Sequence, residues 1–103
     1  MTTYWLTFRI HNAAVGGRSY EQRYEALNET IRTNCSKWWK EPTSFIAFES
    51  NSTISALIAK CKAAIAPSHD LALIRAMDTK SAMVCGIVKD QDIFALMPYL
   101  KKS

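Results

Sequence analysis

The chain begins with a segment in which apolar and polar side chains alternate. Between residues 4 and 10 the apolar side chains fall on one face, and Trp5, Thr7 and Arg9 fall on the other. A period of two predicts a β-strand with one buried face. Residues 11–18 lose this periodicity and contain the only Gly-Gly pair of the chain, so we expect a flexible loop there.

The next segment repeats its apolar positions at helical spacing. These positions are Tyr20, Tyr24, Leu27 and Ile31. Ser19 stands three residues before Gln22, which is the spacing of a capping box. The pattern predicts a helix from about Tyr20 to Thr33 that ends near Asn34.

Two short aromatic-rich segments follow the first helix. They cover residues 36–40 and 43–50, and Glu41-Pro42 separates them. Aromatic residues favour strands and Pro favours a turn, so we expect a pair of antiparallel strands.

A second amphipathic helix is predicted after these strands. Asn51 or Ser52 can cap it, and Pro67 ends it. Its apolar stripe consists of Ile54, Leu57, Ile58, Cys61 and Ile65. This spacing buries one face of the helix.

The last third of the chain continues the alternation of strands and helices. Asp70 precedes an apolar run over residues 71–77, which predicts a central strand. Residues 82–88 predict a fifth strand, and Asp90 can cap a short helix. The apolar residues of that helix are Ile93, Phe94, Leu96, Met97 and Leu100.

The order strand, helix, strand, strand, helix, strand predicts an α+β fold of the ferredoxin-like β-α-β-β-α-β type. It is a two-layer sandwich with an extra C-terminal strand and a short helix, in a single domain over residues 1–103. One sheet face then lacks helices, and Trp5 and Trp39 are expected on it. An exposed aromatic face favours association, so we expect a homodimer, packed through its sheets or through the C-terminal strand on a neighbour's edge.

Composition indicates a folded protein, and the apolar segments of the chain indicate its cellular location. Of 103 residues, 49% are hydrophobic and 21% are charged, which excludes a disordered or low-complexity chain. No apolar run approaches the ~18 residues of a membrane span, and no signal peptide precedes the first strand, so we expect a cytoplasmic protein without membrane contact. The three cysteines are widely spaced, which is typical of reduced core thiols rather than disulfides or a zinc site.

In three segments the chain resembles the SinR-like small proteins, which are relatives in fold of the small CRISPR-associated subunit that dimerises in the spacer-integration complex. The segments are Y-E-A-L-N-E-T-I, W-W-K-E-P-T-S-F-I-A-F-E-S and D-L-A-L-I-R-A. The resemblance spans residues 4–77 and rests on a Trp before the second strand (Trp38 or Trp39), on Ser44 and on Asp70. It implies a dimeric ferredoxin-like protein in contact with nucleic acid.

The resemblance does not carry a catalytic residue. In the CRISPR-associated relatives, an aspartate at the end of the first strand is associated with metal-dependent nuclease activity. Here the matching residues are Ile10-His11-Asn12. Because Mg²⁺ normally requires a carboxylate ligand, the missing aspartate argues against nuclease activity, and we expect no bound metal.

Two groups of residues are candidates for a binding site. His11 and Asn12 lie where the first strand meets the loop, with Arg9 and Arg18 near in sequence to favour an anion; a strand-end turn also explains them. A basic surface with stacking platforms is the second candidate, drawn from Arg18, Arg23, Arg32, Lys37, Lys40 and Arg75 with Trp5 and Trp39. The formal net charge of +4 favours it modestly, and Glu21, Glu25 and Glu29 partly offset it.

The segment S-F-I-A-F-E is similar to the aromatic end of the RNA-recognition-motif signature, but it lacks the basic-glycine pair of that signature. Phe45, Ile46 and Phe48 also suit core and dimer packing. Nucleophile elbows, metal clusters, Walker loops and dinucleotide fingerprints are absent.

The sequence therefore leaves three functional hypotheses. The first is a non-catalytic, dimeric protein that binds DNA or RNA without a small-molecule cofactor. The residues expected to bind are Arg9, His11, Asn12, Arg18, Lys37, Trp39, Lys40 and Arg75. The alternatives are a protein-interaction or structural module of a defence or toxin-antitoxin system and, with less support, a metal-dependent nuclease.

Overall fold

The computed structural model describes all residues from 1 to 103 and contains one six-stranded mixed sheet and three helices. The elements are β1 (Thr2–Arg9), α1 (Tyr20–Thr33), β2 (Lys37–Trp39), β3 (Phe45–Ser50), α2 (Ile54–Ala64), β4 (Leu71–Ala76), β5 (Ala82–Gly86), α3 (Asp92–Leu96) and β6 (Leu100–Lys102). The strand order is β2-β3-β1-β4-β5-β6. Only β5 and β6 pair in parallel, and the other neighbours are antiparallel. The predicted α+β class is confirmed.

The C-terminal strand β6 was not predicted. Leu100 was assigned to the last helix, but it begins β6 and pairs with Ala82 of β5. The helix α3 ends at Leu96 because Met97 precedes Pro98, and a residue before proline is disfavoured in the α conformation. The chain then returns to the sheet and adds a three-residue edge strand.

The helix caps agree with the sequence at one helix and differ at the other. Ser19 and Gln22 form the predicted capping box of α1. The cap of α2 is Thr53, whose side chain accepts the Ala56 N–H, rather than Asn51 or Ser52. Ser52 belongs to the preceding turn, where its carbonyl oxygen accepts the Tyr4 hydroxyl at 2.9 Å.

The strand β5 ends at Gly86 rather than at Val88 because the chain turns there. Gly86 has φ of 97°, a left-handed conformation that glycine adopts without strain. A Cβ at this position would lie 2.0 Å from the Asp70 carbonyl oxygen. That oxygen accepts the Ile87 N–H at 2.9 Å, so the end of β5 and the start of β4 are held in close contact.

The main core lies between the sheet and the pair α1 and α2. Alternate residues of β1 point into it, as the period of two predicted, and 17 buried residues form one cluster. Burying a Leu or Ile side chain contributes about 1.5–3 kcal/mol. The core residues with essentially no exposed surface include Leu6, Leu27, Ile31, Ile46, Leu57, Ile58 and Ile74. Cys61 and Cys85 are buried here as predicted, and Cys35 is half-buried.

A second, smaller cluster covers part of the opposite sheet face. Its buried members are Leu73, Ala82, Val84 and Leu100, which pack under Ile93, Phe94, Met97 and Tyr99 of the C-terminal segment. The expectation of a sheet face without helices is therefore wrong for β4 and β5. Trp5 of β1 packs against the edge of this cluster, and no residue of β2 or β3 belongs to it.

The three helices are α1, α2 and α3, and the longest has 14 residues. None of them is long and apolar enough to span a membrane.

Candidate functional site

Three aromatic side chains lie side by side on the uncovered part of the sheet. Trp39 of β2 and Trp5 of β1 are both in register with Ala47 of β3, so the three residues share one face. Phe45 lies two residues from Ala47 on that face, with its ring centroid 6.0 Å from Trp5 and 6.1 Å from Trp39. We call Trp5, Trp39 and Phe45 the aromatic row.

The aromatic row is accessible from solvent. Trp39 is 50% exposed, and Trp5 and Phe45 are half-buried. Because Ala47 is small, it leaves a depression beside Trp39 and Lys37, and a cavity of about 330 Å³ opens there with a mainly apolar lining. A planar apolar group can therefore approach the sheet at this point.

Charged residues lie at both ends of the aromatic row. Lys37 of β2 is exposed and in register with Glu49 of β3. Arg75 of β4 is in register with Trp5, and its guanidinium carbon lies 5.4 Å from the centroid of the Tyr99 ring. The Arg75 Nε is buried and has no hydrogen-bond partner.

Two predicted members of the basic surface lie elsewhere. Lys40 Nζ lies 5.5 Å from the Trp38 ring, and Trp38 packs against the main core on the opposite side of the sheet. Arg32 pairs with Glu29 on the surface of α1. Neither residue is part of the aromatic row.

Arg23 was wrong as a surface residue because it is fully buried. Its Nε donates to Asp70 Oδ2 at 2.8 Å, and neither side chain is exposed. Its Nη1 donates to the Arg18 carbonyl and its Nη2 to the His11 carbonyl, each at 2.8 Å. Arg23 therefore fixes both ends of the loop between β1 and α1.

Asp70 accepts hydrogen bonds on both carboxylate oxygens. The His11 N–H donates to Oδ1 and the Ala66 N–H to Oδ2, each at 2.8 Å. Burial by itself would raise the pKa of the Asp70 carboxyl. The hydrogen bonds from Arg23, Ala66 and His11 outweigh burial and hold this pKa below its ordinary value.

This buried pair was missed in the sequence, although one signal was present. Arg23 stands four residues before Leu27, on the apolar stripe of α1, and a charged residue on a buried stripe requires a partner. Asp70 lies 47 residues away. Spacing alone does not bring these two positions together.

The residues of the predicted loop site have different structural roles. Arg18 donates to the carbonyls of Ala64 and Ile65 at 3.0 and 2.9 Å, so its charge stabilises the C-terminal end of α2. Arg9 is exposed and donates to the Ile87 carbonyl at 3.3 Å. His11 and Asn12 are exposed.

The candidate residues thus form two separate groups. Trp5 and His11 are six residues apart along β1 and its extension, which corresponds to about 20 Å of extended chain. Lys37, Trp39 and Arg75 belong to the sheet face, whereas Arg9, His11, Asn12 and Arg18 lie at one end of the sheet. No group of three or more His, Cys, Asp or Glu residues is arranged to hold a metal ion. Comparison with protein-family models, with curated proteins and with solved structures found no match to this chain.

Proposed function

We propose that this protein binds single-stranded nucleic acid on the aromatic row and catalyses no reaction. The observation that carries the proposal is the contact of Trp5, Phe45 and Trp39 across three strands, on the part of the sheet face beside the smaller cluster that α3 covers. Unpaired bases stack on aromatic side chains, and each stacked base contributes about 1–3 kcal/mol. Sheet aromatics serve this purpose in common RNA-binding modules.

The charges beside the aromatic row suit a phosphate backbone. Lys37 and Arg75 lie at its two ends, and the chain has a formal net charge of +4. Cations that replace counterions on phosphates contribute salt-sensitive affinity without sequence preference. Glu49 beside Lys37 reduces this contribution, so we expect stacking to supply most of the affinity.

The surroundings of Asp70 support a non-catalytic role. Its carboxylate accepts the N–H of His11, which follows β1, and it is fully buried. Its two oxygens accept four hydrogen bonds, two from Arg23 and one each from His11 and Ala66. A carboxylate with both oxygens occupied has no free lone pair directed at a Mg²⁺ ion, which a metal-dependent nuclease would need.

We also propose a ferredoxin-like arrangement for residues 2–76 and, with it, a relationship to the SinR-like small proteins. The strand order β2-β3-β1-β4 supports this, since β1 lies between β3 and β4 and pairs antiparallel with both. The packing of α1 and α2 into one core on the same sheet face supports it as well. Beyond β4, the strands β5 and β6 and the helix α3 extend the sheet.

A protein-interaction module, in the form of a homodimer, is the second candidate. The 50% exposure of Trp39 favours it, because a tryptophan on an edge strand is a common anchor of interfaces. If nucleic acid occupies the aromatic row, the edge strands β2 and β6 remain the surfaces at which a second copy can extend the sheet.

One set of measurements separates the two functions. Fluorescence anisotropy with labelled single-stranded RNA, single-stranded DNA and duplex DNA, at low and near-physiological salt, measures binding. We expect single strands to bind more tightly than duplex, and Trp39→Ala to weaken binding by about 5- to 150-fold, which corresponds to one stacked base. Leu96→Ala, at a side chain 77% exposed on α3, is the matched control and should leave binding unchanged.

The opposite outcome would favour the protein-interaction module. If no single strand binds at low salt, and if Trp39→Ala converts a dimer to a monomer in light scattering, the aromatic row is a protein interface. The nucleic-acid proposal then fails. Gel analysis of the probes with and without Mg²⁺ tests the absence of cleavage in the same samples.

A further inference from the structure

The two histidines of the chain lie next to each other in space. His11 follows β1 and His69 precedes β4, 58 positions apart in the sequence, and their ring centroids are 5.3 Å apart with an interplanar angle of 42°. Both side chains are exposed. We infer that His11 and His69 form a site for a zinc-like divalent transition-metal ion, with water completing the coordination.

The separation of the rings suits one shared tetrahedral ion. Zinc lies about 2.0–2.1 Å from an imidazole nitrogen, and the ring centre lies about 1.2 Å further on the same line. Two such rings at the tetrahedral angle of about 109° have their centres about 5.2 Å apart. The observed 5.3 Å agrees with this distance, so the two rings are close enough to share one ion.

The hydrogen bond of His69 leaves one ring nitrogen free for a metal. Ser68 Oγ lies 2.8 Å from His69 Nδ1. A metal-binding histidine usually donates its second ring N–H to a neighbouring oxygen, which fixes the tautomer and the ring orientation. With Nδ1 bonded to Ser68, Nε2 of His69 is the ligand atom.

The buried pair holds the two histidine backbones in place. Asp70 accepts the His11 N–H, and Arg23 donates to the His11 carbonyl. The His69 N–H donates to the Ala66 carbonyl at 2.9 Å, and Ala66 in turn donates to Asp70. The backbones that carry the two ligands are therefore held in place before the ion arrives, which lowers the entropy cost of binding.

The type of ion follows from the type of ligand. Imidazole nitrogen suits zinc, copper and nickel, whereas Mg²⁺ requires oxygen ligands. Two protein ligands leave further positions open to water, so the site is open rather than a closed structural centre. A bound ion would join the loop after β1 to the loop before β4.

Calorimetric titration of ZnCl₂ into the full chain tests the inference, with MgCl₂ as the comparison ion. All proteins carry Cys35→Ser, which removes the half-buried thiol. We expect one zinc ion per chain, no Mg²⁺ binding, and at least tenfold weaker zinc binding in both His11→Gln and His69→Gln. Because the chain has two histidines, the double variant is a histidine-free control.

Imidazole ¹⁵N spectra give an independent readout, in which zinc should shift one ring nitrogen of each histidine. Unchanged zinc affinity in both single variants, or one zinc ion per two chains, would overturn the inference. Circular dichroism of the metal-free variants should match the parent protein because both side chains are exposed.

Discussion

Arg23 and Asp70 form an ion pair in which neither side chain has exposed surface, with Nε and Oδ2 2.8 Å apart. The pair joins α1 to the residue that precedes β4. Its remaining donors and acceptors bind backbone groups at both ends of the β1–α1 loop and after α2. The side chains of Arg23 and Asp70 thus bind each other and also form hydrogen bonds with four backbone groups.

Removing either member of this pair should destabilise the protein strongly. Asp70→Asn and Arg23→Met each leave a partner without its charge, and breaking a buried pair costs about 3–5 kcal/mol. We expect the double variant to remain destabilised. It loses the Arg23 hydrogen bonds to the Arg18 and His11 carbonyls, and the Asn side chain has one acceptor oxygen where Asp70 used two for the His11 and Ala66 N–H groups. Urea unfolding of the four proteins measures the free energies of unfolding and the coupling energy. A double variant as stable as the parent would show that the backbone hydrogen bonds contribute nothing.

A pair of glycines tests the contact between β5 and β4. At Gly86 a Cβ would lie 2.0 Å from the Asp70 carbonyl oxygen, whereas at Gly17, with φ of 81°, nothing lies within 4 Å. Gly17→Ala should therefore cost only the left-handed strain of about 1–2 kcal/mol. Gly86→Ala adds the steric clash to the same strain. We expect a clearly larger loss of unfolding free energy in the Gly86 variant, and equal losses would contradict the close approach.

Much of the fold could be predicted from sequence because its signals are local. The capping box of Ser19 and Gln22 and the apolar stripe of α1 fix that helix within the predicted bounds. Pro98 was also a local signal for the end of α3 at Leu96, and it was overlooked. The second strand of the extension, β6, could not be inferred, since three residues such as Leu100–Lys102 carry no recognisable period.

The candidate site was less predictable because it depends on contacts distant in sequence. The alternation of β1 placed Trp5 on the correct face, but only the register of Trp5 and Trp39 with Ala47 brings them together. For Arg18 and Arg23, positive charge suggested an anion site. Instead, their guanidinium groups are bound to carbonyl oxygens and to Asp70.

Arg18 gives a test of that reassignment. Arg18→Gln removes two charge-assisted hydrogen bonds to the end of α2, and each such bond contributes about 1.5–3 kcal/mol. We expect a lower unfolding free energy and an unchanged affinity for single-stranded RNA, measured below the unfolding transition. A loss of affinity with no loss of stability would place Arg18 in the binding site, as the sequence suggested.

Replacing Arg75 should have the opposite effects to replacing Arg18: unchanged or higher stability, and lower affinity for nucleic acid. The buried Arg75 Nε has no hydrogen-bond partner, and an unsatisfied buried donor costs about 1–3 kcal/mol. The cation–π contact of Arg75 with the Tyr99 ring stabilises the protein by about 0.5–2 kcal/mol. Arg75→Met keeps the packing volume and removes both effects, so the unfolding free energy should stay equal or rise, while a cation beside Trp5 is lost.

If the aromatic row binds nucleic acid, Arg75→Met should weaken binding and reduce its dependence on salt, because one phosphate contact is removed. The exposed Lys89 supplies the control, and Lys89→Met should leave both stability and affinity unchanged. Denaturation and anisotropy on the same preparations measure the two quantities. A destabilised Arg75→Met protein with unchanged affinity would show that Arg75 serves to hold Tyr99, and that binding does not use this end of the aromatic row.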